Sequence, residues 1–303
     1  LAERFPYKEE VTGSNPVAPT MIKNFFLKIK NKFKRYLFFV NPKLYRPSSK
    51  PLISGDTFRK IADHIFDETQ SLNVKKVKKN DIVFVRSDLL KYYFENYHID
   101  INNSYILISH NSDETIDESY LKYIDDKIIH WFCFKLNFPM TANITPIPAG
   151  LENKRYLING KVKDYLKVKE IKVKKNGIMS SFNENTNYSE RHKLKIISSN
   201  HKDISNLNFD TPYKYLIGLK NFKYNLCPEG NGGESHRIWE SLIFGVTPIV
   251  LKNQMNLNFF SLGVPLLMLE SWEDLINLNI TNLDDLNTSN QNKSYEKYTV
   301  TYS

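Results

Sequence analysis

From Pro51 onward, apolar residues recur in two ways along the chain: short runs that suit strands, and stretches with apolar positions three and four apart that suit helices. DTFRKIADHIFDE (56–68) has the helical spacing. DIVFVRS (81–87), SYILISH (104–110), IIHWFCF (128–134) and ITPIPAG (144–150) read as strands. A lysine-rich, low-complexity stretch at 159–176 then breaks the series and is expected to be an exposed basic linker or a solvated face. After it a second series of apolar runs begins: GIMSSF (177–182), LKIISSN (194–200), KYNLCPEG (223–230), VTPIVL (246–251) and VPLLMLE (264–270). Strands alternating with helices predict parallel sheets with helices on their faces. The expected architecture is therefore two α/β halves, 51–158 and 177–280, hinged about the linker with a cleft between them. Ligands in such sheets sit at the carboxyl ends of the strands.

The two ends of the chain lack this alternation. In residues 21–50, Ile22, Phe25, Phe26, Ile29, Phe33, Tyr36 and Leu37 recur at helical spacing while lysines fill the remaining positions. That profile suits a helix lying in an anionic membrane surface, or one packed on the protein's own core with its lysines in solvent. It is too interrupted by charge to span a bilayer. Residues 1–20 have no periodicity and no signal-peptide pattern. Their GSNPV string resembles a translated tRNA T-arm, so a disordered, non-native leader ahead of Met21 is expected. The asparagine-rich tail, 281–303, is weakly patterned.

A chain of 303 residues with 41% hydrophobic content has room for two modest domains. Its formal charge of +9 is matched by the nine Lys and Arg between Met21 and Lys50, where no acid occurs. The rest is close to neutral, which argues against a nucleic-acid-binding surface spread over the fold. Two cysteines, Cys133 and Cys227, supply neither a disulfide framework nor a CxxC zinc signature and read as buried thiols.

The most specific chemistry lies in CPEGNGGESHRIWESLIFGVTPIVL (227–251). A strand, a glycine-rich turn and a helix start together make an anion site, because first-turn amides lack helical partners and the helix dipole is positive there. Gly230, Gly232 and Gly233 would let the backbone approach a phosphate. Ser235 would cap the helix or donate to the anion, and Arg237 would fork onto a diphosphate. Glu240, one turn on, would take ribose hydroxyls, unless Arg237 and Glu240 are merely a surface ion pair. Gly245 is expected to end the helix. A P-loop is excluded, since no Gly-Lys-Ser/Thr follows the glycines. A dinucleotide site is disfavoured by the glycine spacing, and the absence of Asp-x-Asp disfavours the usual metal-bridged sugar-nucleotide site.

The sequence Pro-x-Gly-x-Gly, Ser-His-Arg-x-x-Glu-x-Leu, Gly-Val-x-Pro-Ile-Val resembles the C-terminal motif of exostosin-like glycosyltransferases and is similar to that region of the α1,3-fucosyltransferases. LISGDTFRKIADHI, KKNDIVFVRSD, YILISHNSDE, ITPIPAGLEN, SSFNENTNYSER and SWEDL resemble further segments of bacterial and viral exostosin-like proteins, over most of Pro51 to Leu275. The resemblance implies an α/β fold of the GT-B type, two Rossmann-like domains facing across a cleft. It also implies sugar transfer from a nucleotide-diphosphate donor, UDP- or GDP-linked, to an acceptor glycan or lipid-linked glycan, with no cofactor or metal. Arg237 and Glu240 would bind the donor, with Glu229, Asn231 and His236 beside them in the same loop and helix start. Asn183, Thr186 and Arg191 would complete the phosphate pocket.

The N-terminal half would carry the acceptor side. His110, Asn111 and Asp113 follow a strand, and Asp113 or His110 would take the acceptor's proton, although Asn111–Asp113 equally fits a turn and cap. Asp56 and Arg86 would line the cleft or serve as a helix cap and a surface ion pair. The leading expectation is an inverting enzyme of surface-polysaccharide synthesis, cytoplasmic and peripheral at the membrane's inner face. A non-catalytic glycan- or nucleotide-binding relative and a nucleic-acid-binding protein are the alternatives.

Overall fold

The computed structural model describes residues 32–33, 46–173, 175–281 and 283. The expected leader, nearly all of the basic 21–50 segment and nearly all of the 281–303 tail lie outside them. Two parallel sheets of five strands each form the fold, one in each half, with helices against both. Among the described residues, no helix is long and apolar enough to cross a membrane.

In the N-terminal half, helix α1 (Gly55–Ile61) precedes β1 (His64–Phe66), β2 (Ile82–Arg86), helix α2 (Leu90–Asn96), β3 (Tyr105–His110), β4 (Ile128–Phe134) and β5 (Ile144–Ile147). The strands lie in chain order, β1-β2-β3-β4-β5. The expected 56–68 helix ends early. Asp63 accepts from the Ile82 amide through its side chain (2.9 Å) and donates its own amide to the Ile82 carbonyl (2.9 Å), so the chain enters the sheet at His64.

Side chains alternate across this sheet with period two. Val83, Val85, Leu107, Trp131 and Cys133 point to one apolar cluster with Phe94 of α2. Phe84, Ile108, Phe134 and Ile147 point the other way, into a cluster shared with the second half. Both cysteines are buried, and burial pushes both thiols up.

Helix α3 (Val162–Lys169) opens the second half, followed by β6 (Ile178–Ser180), α4 (Tyr188–Ser199), β7 (Ile204–Asn206), α5 (Pro212–Lys220), β8 (Tyr224–Leu226), α6 (His236–Ile243), β9 (Thr247–Leu251), α7 (Gln254–Ser261) and β10 (Leu267–Leu269). Here the sheet order is β10-β9-β8-β6-β7, so the chain reverses direction between β6 and β8. A crevice opens at the carboxyl ends of strands at such a reversal.

Two expectations are corrected. The 159–176 stretch is not a bare connector: α3 buries Val162, Tyr165 and Val168 against α5, while its lysines are exposed, as expected of a solvated face. LKIISSN, grouped with the strand-like runs, is the end of α4, where Arg191, Leu194 and Ser198 are buried at spacings of three and four. The polar β7 that follows it carried no apolar signal.

Helix α6 joins the halves. Ile238, Trp239 and Leu242 on one of its faces share a cluster with Phe84, Ile108 and Phe134 of the first sheet and Val250 of β9. Gly245 (φ +61°) ends the helix in the left-handed region, as expected. Because one core serves both sheets, unfolding should be a single cooperative transition. Phe84→Ala, at a position with no exposure, should cost about 3–5 kcal/mol and move tryptophan fluorescence and far-UV circular dichroism midpoints together in urea. Two separate transitions, with only the first displaced, would contradict the shared core.

Candidate functional site

At the reversal point of the second sheet lies a cavity of about 800 Å³. Its walls are the segment after β6 (Ser181 to Asn185), the segment after β7 (Asn208 to Pro212), Tyr165 of α3, and His236, Arg237 and Glu240 of α6. Arg237 donates through Nε to the Ser181 carbonyl at 2.8 Å. Among the described residues its two terminal nitrogens have no hydrogen-bond or ion-pair partner, which leaves the planar fork open to the cavity. Nor do the described residues include an acceptor for the amides of His236 and Arg237 in the first turn.

Glu240 is 8% exposed and does not pair with Arg237. It accepts instead from the Tyr165 hydroxyl at 2.7 Å. Burial and the Glu240 charge hold the protons on Tyr165 and on neighbouring Tyr215 well above the ordinary phenol range. The surface ion-pair reading of Arg237 and Glu240 is thereby replaced by two separate groups, a free guanidinium fork and a buried carboxylate facing one space.

The glycine-rich loop is placed otherwise than expected. Among the described residues, none from Glu229 to Ser235 forms the wall of the cavity. Gly232 (φ +122°) and Gly233 (φ +62°) serve close packing: a Cβ on Gly233 would sit 2.4 Å from Met255 Sδ, and one on Gly232 would sit 3.2 Å from Lys135 Nζ. Lys135 reaches across from the first half and donates to the carbonyl of Asn231 (3.1 Å) and the carboxylate of Asp113 (3.0 Å). Gly230 packs against the Glu234 carbonyl, and Glu229 accepts from Asn253. Ser235 is the helix N-cap, but its hydroxyl makes no capping bond and is buried without a partner among the described residues.

Arg191 also differs from expectation. It is 2% exposed and spends its donors on the carbonyls of Glu229 (2.8 Å), Asn183 (2.8 Å) and Pro228 (3.4 Å). It therefore braces the two loops behind the cavity and does not reach into it. Burial, followed by the nearby Arg237 charge, brings its pKa down to about 10, so it stays protonated. Asn183 does line the cavity and caps a short 3₁₀ turn, while Thr186 is exposed outside it.

The first half contributes a second hollow of about 560 Å³ at the carboxyl ends of β2, β3 and β4. Arg86, His110, Asn111 and Asp113 line it, as expected. Glu152 and His236 line both hollows, so the crevice runs between the halves.

Neither residue expected to abstract a proton is arranged for it. His110, stacked on Phe134, donates from Nε2 to the Pro148 carbonyl (3.1 Å), and its Nδ1 accepts the Asn111 amide (2.6 Å). Burial pushes it down to about 3, so the ring is neutral with its lone pair already engaged. The Asp113 side chain is 74% exposed at the rim and paired with Lys135 at 3.0 Å.

Asp56 lies beneath the floor with no exposure, its Oδ1 accepting from Arg46 (2.9 Å) and Asn111 (3.1 Å), and it does not face the cleft. Arg86 pairs with Glu68 (3.2 Å) and Asp88 (2.8 Å). Among the described residues, no three His, Cys, Asp or Glu side chains gather as metal ligands.

No family model and no curated protein matches the sequence. The site therefore rests on its own geometry.

Sequence reasoning missed Tyr165, Glu152 and Glu234. The first was hidden in the lysine-rich stretch, and Glu152 follows the PAG turn that ends β5. Glu234 is buried where the halves meet, accepting from the Ala149 amide at 2.8 Å and from the Trp239 indole. Burial pushes its pKa up to about 7. A carboxyl raised above its unfolded value binds a proton in the native state that the unfolded state has released, so its contribution to stability falls as pH rises from about 4.5 to 7. Glu234→Gln should therefore gain stability over wild type by roughly 3 kcal/mol at pH 8 and by little at pH 4.5. Urea denaturation at both pH values measures this, and an equal difference at the two would refute it.

Proposed function

We propose that the chain is a glycosyltransferase of the GT-B type that moves a sugar from a nucleoside diphosphate donor to an acceptor glycan without a catalytic metal and with inversion. The observation that carries this reading is the Arg237 fork. It is anchored at Nε, has no partner for its terminal nitrogens among the described residues and faces a cavity at the reversal point of the second sheet, beside two first-turn amides that likewise lack an acceptor there. Donors held in place before charge develops stabilise it without reorganisation, and this is the largest electrostatic help such a reaction receives. Here the charge is that of the departing nucleoside diphosphate.

Glu240, one turn along the same helix, accepts from the ribose hydroxyls. Phe182 and Phe209, also in the wall, offer apolar surface to the base. The acceptor enters from the first-half hollow. Its hydroxyl oxygen bonds to the anomeric carbon as the bond from that carbon to phosphate breaks, and the electron pair leaves on the diphosphate. The two hollows meeting at Glu152 and His236 bring donor and acceptor to one point. The resemblance to exostosin-like proteins supports the same reaction class. A surface-type or lipid-linked glycan as acceptor, with the basic 21–50 segment on an anionic membrane, belongs to this proposal.

A thermal-shift panel of UDP, GDP and their sugar conjugates tests it. A nucleoside diphosphate at 100 times its Kd should add about 2.7 kcal/mol of stability. Arg237→Ala should abolish the shift, and Arg237→Lys should weaken binding at least tenfold, since an ammonium cannot replace a bidentate fork. A full shift in Arg237→Ala, or none in wild type, would overturn the reading.

A further inference from the structure

We infer that His236 is the general base that takes the acceptor's proton, an inference that rests on the glycosyl-transfer reading. The base must offer a lone pair where donor and acceptor meet. Only Glu152 and His236 line both hollows among the described residues. The other carboxylates near the donor are engaged: Glu240 by Tyr165, Glu184 by His192 and Asp210 by Lys214. On the acceptor side Asp88 is paired with Arg86 and Asp113 with Lys135, the His110 lone pair is taken by its neighbour's amide, and Glu114 lines the acceptor hollow alone, away from the donor cavity.

The His236 ring is oriented for the task. Its Nδ1 lies 2.7 Å from the Gly150 carbonyl, so Nδ1 carries the hydrogen and Nε2 carries the lone pair. Among the described residues Nε2 has no partner. The orienting carbonyl is itself fixed. Gly150 adopts φ +60° in a bridge to Ser54, and a Cβ there would lie 2.4 Å from the Ile53 carbonyl. As the first residue of α6, His236 adjoins Arg237, so the ring and the fork that receives the leaving group move as one body.

The proton passes from the acceptor hydroxyl to Nε2 as that oxygen bonds to the anomeric carbon. The carbon–phosphate oxygen bond breaks, its electron pair departs with the diphosphate, and the imidazolium later yields its proton to water. Glu152, which lines both hollows as well, has one oxygen held by the Asn159 amide (3.1 Å). The charged groups that line the two hollows with His236 include Arg86, Asp88, Asp113, Glu114 and Arg155 from the first half and Arg237 and Glu240 on its own helix, and His110 lies near enough to interact with its ring.

His236→Asn keeps an N–H donor for the Gly150 carbonyl and removes the ε lone pair. Its kcat should fall about 10²–10⁴-fold, the acidic limb of kcat/KM should disappear, added imidazole should restore part of the rate, and the thermal shift with a nucleoside diphosphate should persist. A kcat within fivefold of wild type, or loss of the acidic limb in Glu152→Gln with His236→Asn still active, would overturn the assignment while leaving glycosyl transfer intact. A wild type that neither binds nucleoside diphosphates nor transfers sugar would remove the functional reading, and the base with it.

Discussion

The burial of one face of α6 constrains everything else in this protein. Ile238, Trp239 and Leu242 must leave water, and they do so between the two sheets, against Phe84, Ile108 and Phe134 on one side and Val250 on the other. With that face fixed, the remaining positions of the helix have no freedom of direction. Arg237 and Glu240 turn toward the crevice at the reversal of the second sheet, and His236 sits at the seam between the halves. The same hydrophobic contact that holds the halves together aims the polar groups.

Around this helix, buried polar groups are used as braces. Arg191 ties the Asn183 and Glu229 loops by their carbonyls, and Lys135 ties the Asn231 loop to the first half. Glu234 bonds to the Ala149 amide and the Trp239 indole at once. Each is costly to bury and is tolerated because it is hydrogen-bonded. The result is a rigid frame around groups that have no partner among the described residues, the Arg237 fork, the first-turn amides, the Ser235 hydroxyl and the second oxygen of Glu234 among them. A glycine-rich loop that looks made for a phosphate is instead part of that frame, its glycines admitting Met255 and Lys135 at close range.

Much of the sheet framework was legible because strand periodicity is local. IIHWFCF coincides with β4, and the runs at β2, β3, β6, β8 and β9 fall where their apolar residues lie. The α6 start and the direction of Arg237 were legible for the same reason. What escaped depends on partners far along the chain. Tyr165 meets Glu240 across 75 positions and Glu234 meets Ala149 across 85, so no window of sequence contains either pair. LKIISSN carries adjacent isoleucines that suit a strand, yet Leu194 and Ser198 are buried at helical spacing. His110 and Asp113 were correctly placed at a strand's carboxyl end, but their availability turned on the Asn111 amide and Lys135, which position alone does not reveal.

The most direct measurement is a crystal structure of the chain soaked with UDP or GDP. The account requires the diphosphate oxygens on the terminal nitrogens of Arg237 and the first-turn amides of α6, with the ribose hydroxyls on Glu240. A nucleotide bound elsewhere, or an Arg237 that makes no contact with the bound diphosphate, would contradict it.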